Sequence, residues 1–370
     1  MATYLIRRAV QGLVVLFLST FVIYSILLIT PGGIQDKLRT LLYADPRHPP
    51  SPEFIKQEQQ RYGLDKPYPL NYLAWLFNPD KTKLEQVYEN GELVSAREVP
   101  SGNVFGWFNG SGILTGDFGL STDVAKGQPV LEQIGQRMGN TLLLTGFSTL
   151  FSILIALPIG VISAIKQYSR LDYTVTTFSF IGLAMPTFWL GLMLILFFAI
   201  LAKDLHNNGW TWLPYFPPGD PASDTTNFNF ADRLYHLVMP VTVLSFVNIA
   251  GLSRFVRASM LEVLRQDYVR TAWAKGLAQR VVILKHALRN ALIPVITIIT
   301  LGLPALFSGA IITETIFAYG GMGQLYFRSV QQLDIPLVMG FLLIITAMII
   351  VSNILADVLY AAADPRIRFS

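Results

Sequence analysis

RQDYVRTAWAKGLAQRVVILKHALR, residues 265–289, is the stretch around which the rest of the sequence arranges itself. Eight of its residues ionise, counting His286 and leaving the tyrosine aside, and six of the eight are Lys or Arg. Apolar runs long enough to cross a bilayer flank it on both sides. A basic, helix-prone loop between two such runs belongs on the cytoplasmic side of a membrane. Tyr268, Val269, Ala272, Trp273, Gly276 and Leu277 recur at i, i+1, i+4, i+5, i+8 and i+9, which is one face of a helix. Asp267, Arg270, Thr271 and Ala274 take the other face. Ala272 and Gly276 also make a small-xxx-small pair, which would let another surface approach the backbone closely. Two readings stand side by side: a solvated basic loop held near anionic lipid, and a short docking helix for a soluble partner.

Composition agrees with the flanking runs. Of 370 residues, 52% are hydrophobic and only 14% charged, which predicts a membrane protein if the apolar residues are clustered. They are: charge-free runs, histidine left aside, cover 9–35, 138–165, 173–202, 234–253, 290–313 and 335–356. A helix needs about 20 residues to cross the hydrocarbon core, so the expected fold is an all-α polytopic protein with six transmembrane helices. Arg7 and Arg8, Lys166 and Arg170, the loop 254–289, and Arg366 and Arg368 fall on one side. The short connections on the other side offer only Lys203, Arg233 and Arg328. Both termini are therefore expected in the cytoplasm. The formal net charge of +4 follows from this topology and is no argument for nucleic acid binding. With no cysteine in the chain, disulfide and thiol chemistry are excluded.

The first apolar run is longer than the roughly 7–15 residues of a signal-peptide core and has no small-x-small cleavage site, so it reads as a first membrane helix. Residues 1–137 then comprise that helix and an extended extracytoplasmic region, and 138–370 a five-helix core carrying the cytoplasmic loop 254–289. Within 31–137, the stretch 45–52 is Pro-rich, 53–62 can form a short helix, and Asn90-Gly91 inside 86–100 signals a hairpin. A small lid-like domain and a loosely ordered loop both fit this region. In 207–220 the Trp and Tyr residues suit an aromatic belt at headgroup level.

Prolines interrupt the runs at Pro158, Pro186, Pro294 and Pro304, and each frees backbone groups that neighbours or water must satisfy. Packed kinks are one reading. The other is a translocation path, for which Met185, Pro186, Phe188, Asn248 and Glu314 are the candidates; Asn248 and Asn353 are expected to face the bundle interior. Enzyme signatures are missing. There is no phosphate-binding Gly-x-x-x-x-Gly-Lys-Ser/Thr loop, and no His-Glu-x-x-His. The four histidines show no metal-ligand spacing, and Asp117-Phe118-Gly119 lacks every other kinase motif. No catalytic residue and no metal site is expected.

Several pieces, in order, carry a resemblance. They are Tyr4-Leu5-Ile6-Arg7-Arg8, Gly116-Asp117-Phe118-Gly119-Leu120-Ser121, and Arg137 with Asn140-Thr141-Leu142. Met185-Pro186-Thr187-Phe188-Trp189-Leu190-Gly191-Leu192 and 268–277 follow, then His286-Ala287-Leu288-Arg289-Asn290, Glu314-Thr315-Ile316-Phe317 and Asp364-Pro365-Arg366-Ile367-Arg368. Together they resemble the B-type permease subunit of a bacterial or archaeal dipeptide/oligopeptide/nickel ABC importer, over nearly the whole chain. Arg270, Thr271 and Ala272 stand where that family has its Glu-Ala-Ala motif, Gly276 at its Gly, and Arg289 at its later Pro. The Glu and the Pro are thus replaced, and Arg270 would need an acidic partner where a Glu would have sought a basic one.

The resemblance implies a type I ABC importer permease fold in the cytoplasmic membrane. It implies a heterodimer with a homologous second permease, two ABC ATPase subunits that bind ATP and Mg, and an extracytoplasmic substrate-binding protein. This chain itself would hold no cofactor and would touch membrane lipid. Tyr268, Val269, Arg270, Thr271, Ala272, Trp273, Lys275 and Gly276 would couple it to the ATPase. Peptide is the expected cargo, with oligosaccharides or nickel chelates as alternatives. A secondary transporter is disfavoured because the acidic residues, such as Asp172 and Asp357, sit at the ends of the runs.

Overall fold

The computed structural model describes residues 2–31, 33–36, 55–56, 59, 64, 66–77, 82–89, 92–100, 118–219 and 230–363. Among them, six helices are long and apolar enough to cross a membrane: Ile6–Ile29, Val130–Ile165, Thr187–Asn207, Phe230–Leu264, Gln279–Leu301 and Ile335–Val358. The expected number of spans is met, and two of the expected runs, 173–202 and 290–313, are broken within. The chain forms two compact units, one of Met1–Tyr4, Met138–Gln324 and Val351–Ser370, the other of Leu5–Arg137 and Leu325–Ile350.

In the second unit, α1 (Ala2–Ile29) is followed by a short helix, α2 (Leu70–Phe77), that sequence periodicity did not single out. A hairpin follows, β1 (Thr82–Glu89) paired antiparallel with β2 (Glu92–Pro100), from Thr82 opposite Pro100 to Glu89 opposite Glu92. The signal at Asn90-Gly91 therefore marked a real hairpin, although those two residues lie outside the described ones, as do 45–52, most of 53–62, Asp117 and the tail 364–368. Asp334 is buried and accepts hydrogen bonds from Ser121 Oγ (2.6 Å) and from the backbone N–H groups of Thr122, Asp123 and Val124 (3.0–3.1 Å). One carboxylate thus satisfies a whole turn that would otherwise bury unpaired donors.

Helix α3 (Val130–Ile165) enters the first unit at Met138, and α4 (Arg170–Ala184), α5 (Thr187–Ile195) and α6 (Phe230–Leu264) lie within that unit. These are followed by α7 (Asp267–Ala274), α8 (Arg289–Leu301), α9 (Ile311–Ile316) and α10 (Met322–Gln331), and α11 (Ile335–Ala363) closes the described chain. At 1.5 Å per residue the 36 residues of α3 measure about 54 Å, well beyond the hydrocarbon thickness. Pro158, Pro240 and Pro294 are absorbed inside α3, α6 and α8. Pro186 is not absorbed. Proline drives the residue before it out of helical geometry, and Met185 is extended (φ −79°, ψ 122°), so the expected single span 173–202 becomes α4 and α5. From α5 the chain continues through a π-helical stretch, Leu196–Leu201, into a short α-helical segment, Ala202–Asn207. The expected run 290–313 is likewise cut short. Helix α8 stops at Leu301, and Gly302, Pro304 and Gly309 turn the chain before α9.

Small hydroxyl side chains join these helices. Ser245 Oγ of α6 donates to the Ser148 carbonyl of α3 (3.1 Å), Ser253 Oγ lies 3.3 Å from Ser179 Oγ of α4, and Ser259 Oγ donates to the Ala291 carbonyl of α8 (2.8 Å). Without a hydrophobic driving force between helices in lipid, close packing and such bonds hold the bundle. The interior stripe of α6 is accordingly Ser245, Ala250, Ser253, Val256 and Met260. Asn248 was expected to face the interior and does not: it lies off that stripe and is exposed, as is Asn353 on α11. Small residues permit the close approach that a larger amide would prevent.

Candidate functional site

The loop between α6 and α8 is built to hold one short helix in place. Gln266 is extended (φ −72°, ψ 146°) and starts α7, which ends at Lys275 with Gly276 beyond it. Gly276 has φ +74° and nothing within 4 Å of the position of a Cβ. It is the left-handed residue that stops the helix, where any other side chain is strained. The backbone turn is thus a reason for the glycine that the small-xxx-small spacing with Ala272 did not reveal.

Val269 and Ala272 are buried against Val282, with Val263 and Leu264 alongside. Of the eight residues expected to meet a partner, these two are covered by the chain itself. Tyr268 and Trp273, each 43% exposed, flank them, and Arg270, Thr271, Lys275 and Gly276 are exposed as well. Tyr268, Val269, Ala272 and Trp273 share one helix face, as their spacing predicts, while Gly276 and Leu277 lie beyond the end of the helix. The centre of that face is turned inward and its aromatic edges are offered outward. Arg270 pairs with Asp267 one turn earlier (3.6 Å), both exposed, an interaction worth little.

An ion pair joins α6 to α4, its carboxylate buried and its guanidinium partly exposed. Arg257, near the end of α6, donates from Nε to Asp172 Oδ1 (2.6 Å) and from Nη2 to Oδ2 (2.8 Å). Ser163 Oγ and the Tyr168 N–H also donate to this carboxylate, which sits in the first turn of α4. The guanidinium hydrogen-bonded to it holds the Asp172 carboxyl well below the usual carboxylate range, against the opposing effect of burial. The two residues lie 85 apart in sequence, so no local pattern links them.

Glu314 organises a second cluster. It is 0% exposed, and its carboxylate accepts from Thr141 Oγ1 (2.9 Å), the Gln324 N–H (2.9 Å) and the Ala310 N–H (3.3 Å). Thr141 Oγ1 in turn accepts from the Met322 N–H, and Asn140 Nδ2 donates to the Gly320 carbonyl. Gly321 lies so close that a Cβ there would stand 2.5 Å from the Glu314 carboxyl carbon. The Gly-rich turn 319–323 is thus wrapped around an acid, which burial pushes up from its ordinary pKa. The other path candidates are elsewhere. Pro186 and Phe188 are exposed and Met185 half-buried at the break between α4 and α5, and none of them hydrogen-bonds Glu314.

Residues 156–369 match the model of the binding-protein-dependent transport system inner membrane component family. The chain belongs to that family. It is similar over its full length to the oligopeptide transport system permease protein AppB of Bacillus subtilis, with 38% identity and 100% of both chains covered. The dipeptide transport system permease protein DppB of Alkalihalophilus pseudofirmus is 33% identical, again with 100% of each chain covered. DppB of Escherichia coli K12 is 38% identical over 70% of this chain and 78% of its own. Among solved structures, an inward-facing MetNI methionine ABC transporter chain is 17% identical with a TM-score of 0.47, covering 63% of this chain and 96% of that one. As an inner membrane component with six helices suited to crossing a membrane, this family member is a multi-pass membrane protein. The family model spans α4 to α11 entire, so it contains α7, the Asp172–Arg257 pair and Glu314.

Proposed function

We propose that this chain is one of two homologous permeases forming the translocation path of an ATP-driven importer, and that its cargo is peptide delivered by an external binding protein. The observation that carries the reading is α7: a short helix seated on its own chain through Val269 and Ala272, with Tyr268 and Trp273 left exposed at its edges. A helix seated on its own chain with aromatic side chains left exposed can present them to a groove on another protein. In this proposal α7 and both termini are cytoplasmic, α7 docks on one of two ABC ATPase subunits, and those subunits bind ATP and Mg. The chain performs no catalysis of its own. Pro186, Phe188 and Asn248, exposed on this chain, and the half-buried Met185 face the path or the second permease. Glu314, enclosed within its own chain, shapes the outer turn beside that path.

Support for peptide comes from full-length relatives named as oligopeptide and dipeptide permeases. The test is uptake into proteoliposomes containing the full complex, with the binding protein loaded in turn with oligopeptide, oligosaccharide and nickel chelate. ATP-dependent accumulation of peptide alone is expected. Accumulation of either other cargo in its place would overturn the peptide assignment, and no ATP dependence at all would overturn the importer.

A further inference from the structure

Helix α2, LNYLAWLF, belongs to a region that sequence reading places outside the membrane, yet its contacts are with the interior of α1. Tyr72 is buried, its hydroxyl donates to the Phe17 carbonyl (3.2 Å), and it lies 2.8 Å from Thr20 Oγ1. Its ring meets those of Phe17, Phe21 and Tyr24, at i, i+4 and i+7 of α1, with centroids 5.2–5.7 Å away. Phe17 stands at the middle of the span Ile6–Ile29. Counted back from Ile29, it is about 18 Å into the membrane at 1.5 Å per residue, and Thr20 about 13 Å. A tyrosine side chain is too short to make up that depth from a helix lying above the end of α1.

A second marker agrees. Leu76 packs in one cluster with Tyr24, Ile335 and Met339, the last two from the first turns of the span Ile335–Val358. The face of α2 turned away from these contacts is apolar as well: Leu70 is 53% and Leu73 39% exposed. In water that face would be a cost. Beside the lipid-facing side of α1, where Leu18 and Val22 are exposed, it continues an apolar surface.

We infer that α2 is a re-entrant element whose Leu70 and Leu73 side chains contact lipid acyl chains, entering the membrane from the side at which α1 ends. The buried Tyr72 hydroxyl fits this placement, because a hydroxyl at that depth has no water and must find a protein acceptor. A consequence concerns the hairpin. Five residue steps from Phe77 to Thr82 reach at most about 17 Å, so β1 begins at the membrane surface and is tethered there by α2. This inference rests on α1 being a membrane span, not on the identity of the cargo.

The chain has no cysteine, so single cysteines can be placed cleanly. Leu70→Cys and Leu73→Cys, spin-labelled in the full complex in nanodiscs, are compared with Val22→Cys on α1 and Lys126→Cys on an exposed turn, with signal from the unsubstituted complex subtracted. At both α2 positions relaxation by oxygen is expected to exceed relaxation by a water-soluble nickel complex, as at Val22. The reverse ratio, as at Lys126, would overturn the inference by placing α2 in water. Low accessibility to both reagents would overturn it too, because a protein surface would then cover α2 in place of lipid.

Discussion

Arg257 grips Asp172 through two parallel hydrogen bonds, 2.6 and 2.8 Å long, and so fastens the first turn of α4 to the end of α6. The pair matters because α6 leads within a few residues into α7. In the proposed coupling, a force applied to the exposed edge of α7 would pass through Val269 and Ala272 to Val263 and Leu264 of α6, and the bidentate link would carry it to α4. Coupling between distant sites needs such a continuous, stiff connection.

Removing one member of this pair leaves the other without its partner. Asp172→Asn is expected to lower stability by roughly 1–3 kcal/mol, less than for a fully buried pair because Arg257 is 25% exposed and can be solvated. Arg257→Ala should cost a comparable amount, and the double variant less than the sum. Thermal unfolding in detergent across the four proteins checks the cycle, and strict additivity would show that the pair contributes nothing.

The pair also sets a pH dependence. A carboxyl held below its ordinary value of 3.8 contributes its stability in full above that value and loses it as the pH falls through the lower folded value. The difference in stability between the wild type and Asp172→Asn is therefore expected to stay constant from pH 5 to 8. A slope within that window would contradict the assignment.

Glu314 has the opposite sign. Burial raises its pKa above the ordinary 4.5, so its contribution is complete below 4.5 and declines as the pH rises from there through the folded value. Hydrogen exchange in the turn 319–323 should accelerate with pH beyond its intrinsic rate in the wild type, and Glu314→Gln should remove that excess. Gly321→Ala, which places a methyl group against the carboxyl carbon, is expected to destabilise the same turn at every pH.

Two substitutions on α7 separate seating from docking. Ala272→Arg forces a charge into the Val269–Val282 cluster and is expected to unseat the helix, seen as new tryptic cleavage within 265–289. Gly276→Asp leaves the cluster intact and strains one left-handed residue by roughly 1–2 kcal/mol, so the helix should remain protected. Equal cleavage of both would show that the cluster does not hold α7.

What the sequence made legible follows from how local each signal is. Six charge-free runs predicted six spans because hydrophobic length is a property of one segment, and Asn90-Gly91 predicted the hairpin for the same reason. The face of α7 was legible as a face, yet its direction was not, because Val282 and Leu264 decide which side is covered. Asp172 with Arg257, Glu314 with Thr141, and Tyr72 with Thr20 were beyond reach. Each joins residues 52 to 173 positions apart. The break at Pro186 carried a usable signal, since proline pushes the preceding residue out of the helix; it had been read as a kink.

The most direct test of the account is the ATPase rate of the purified complex in nanodiscs with peptide-loaded binding protein, comparing wild type with Tyr268→Ala and Trp273→Ala. Both side chains are exposed, so folding should be unaffected within about 0.5 kcal/mol. The account predicts that the variants assemble in the membrane but retain fewer ATPase subunits through purification and lose at least about ten-fold of the stimulated rate, the equivalent of 1.4 kcal/mol. Full stimulation in both variants would show that α7 does not drive the coupling.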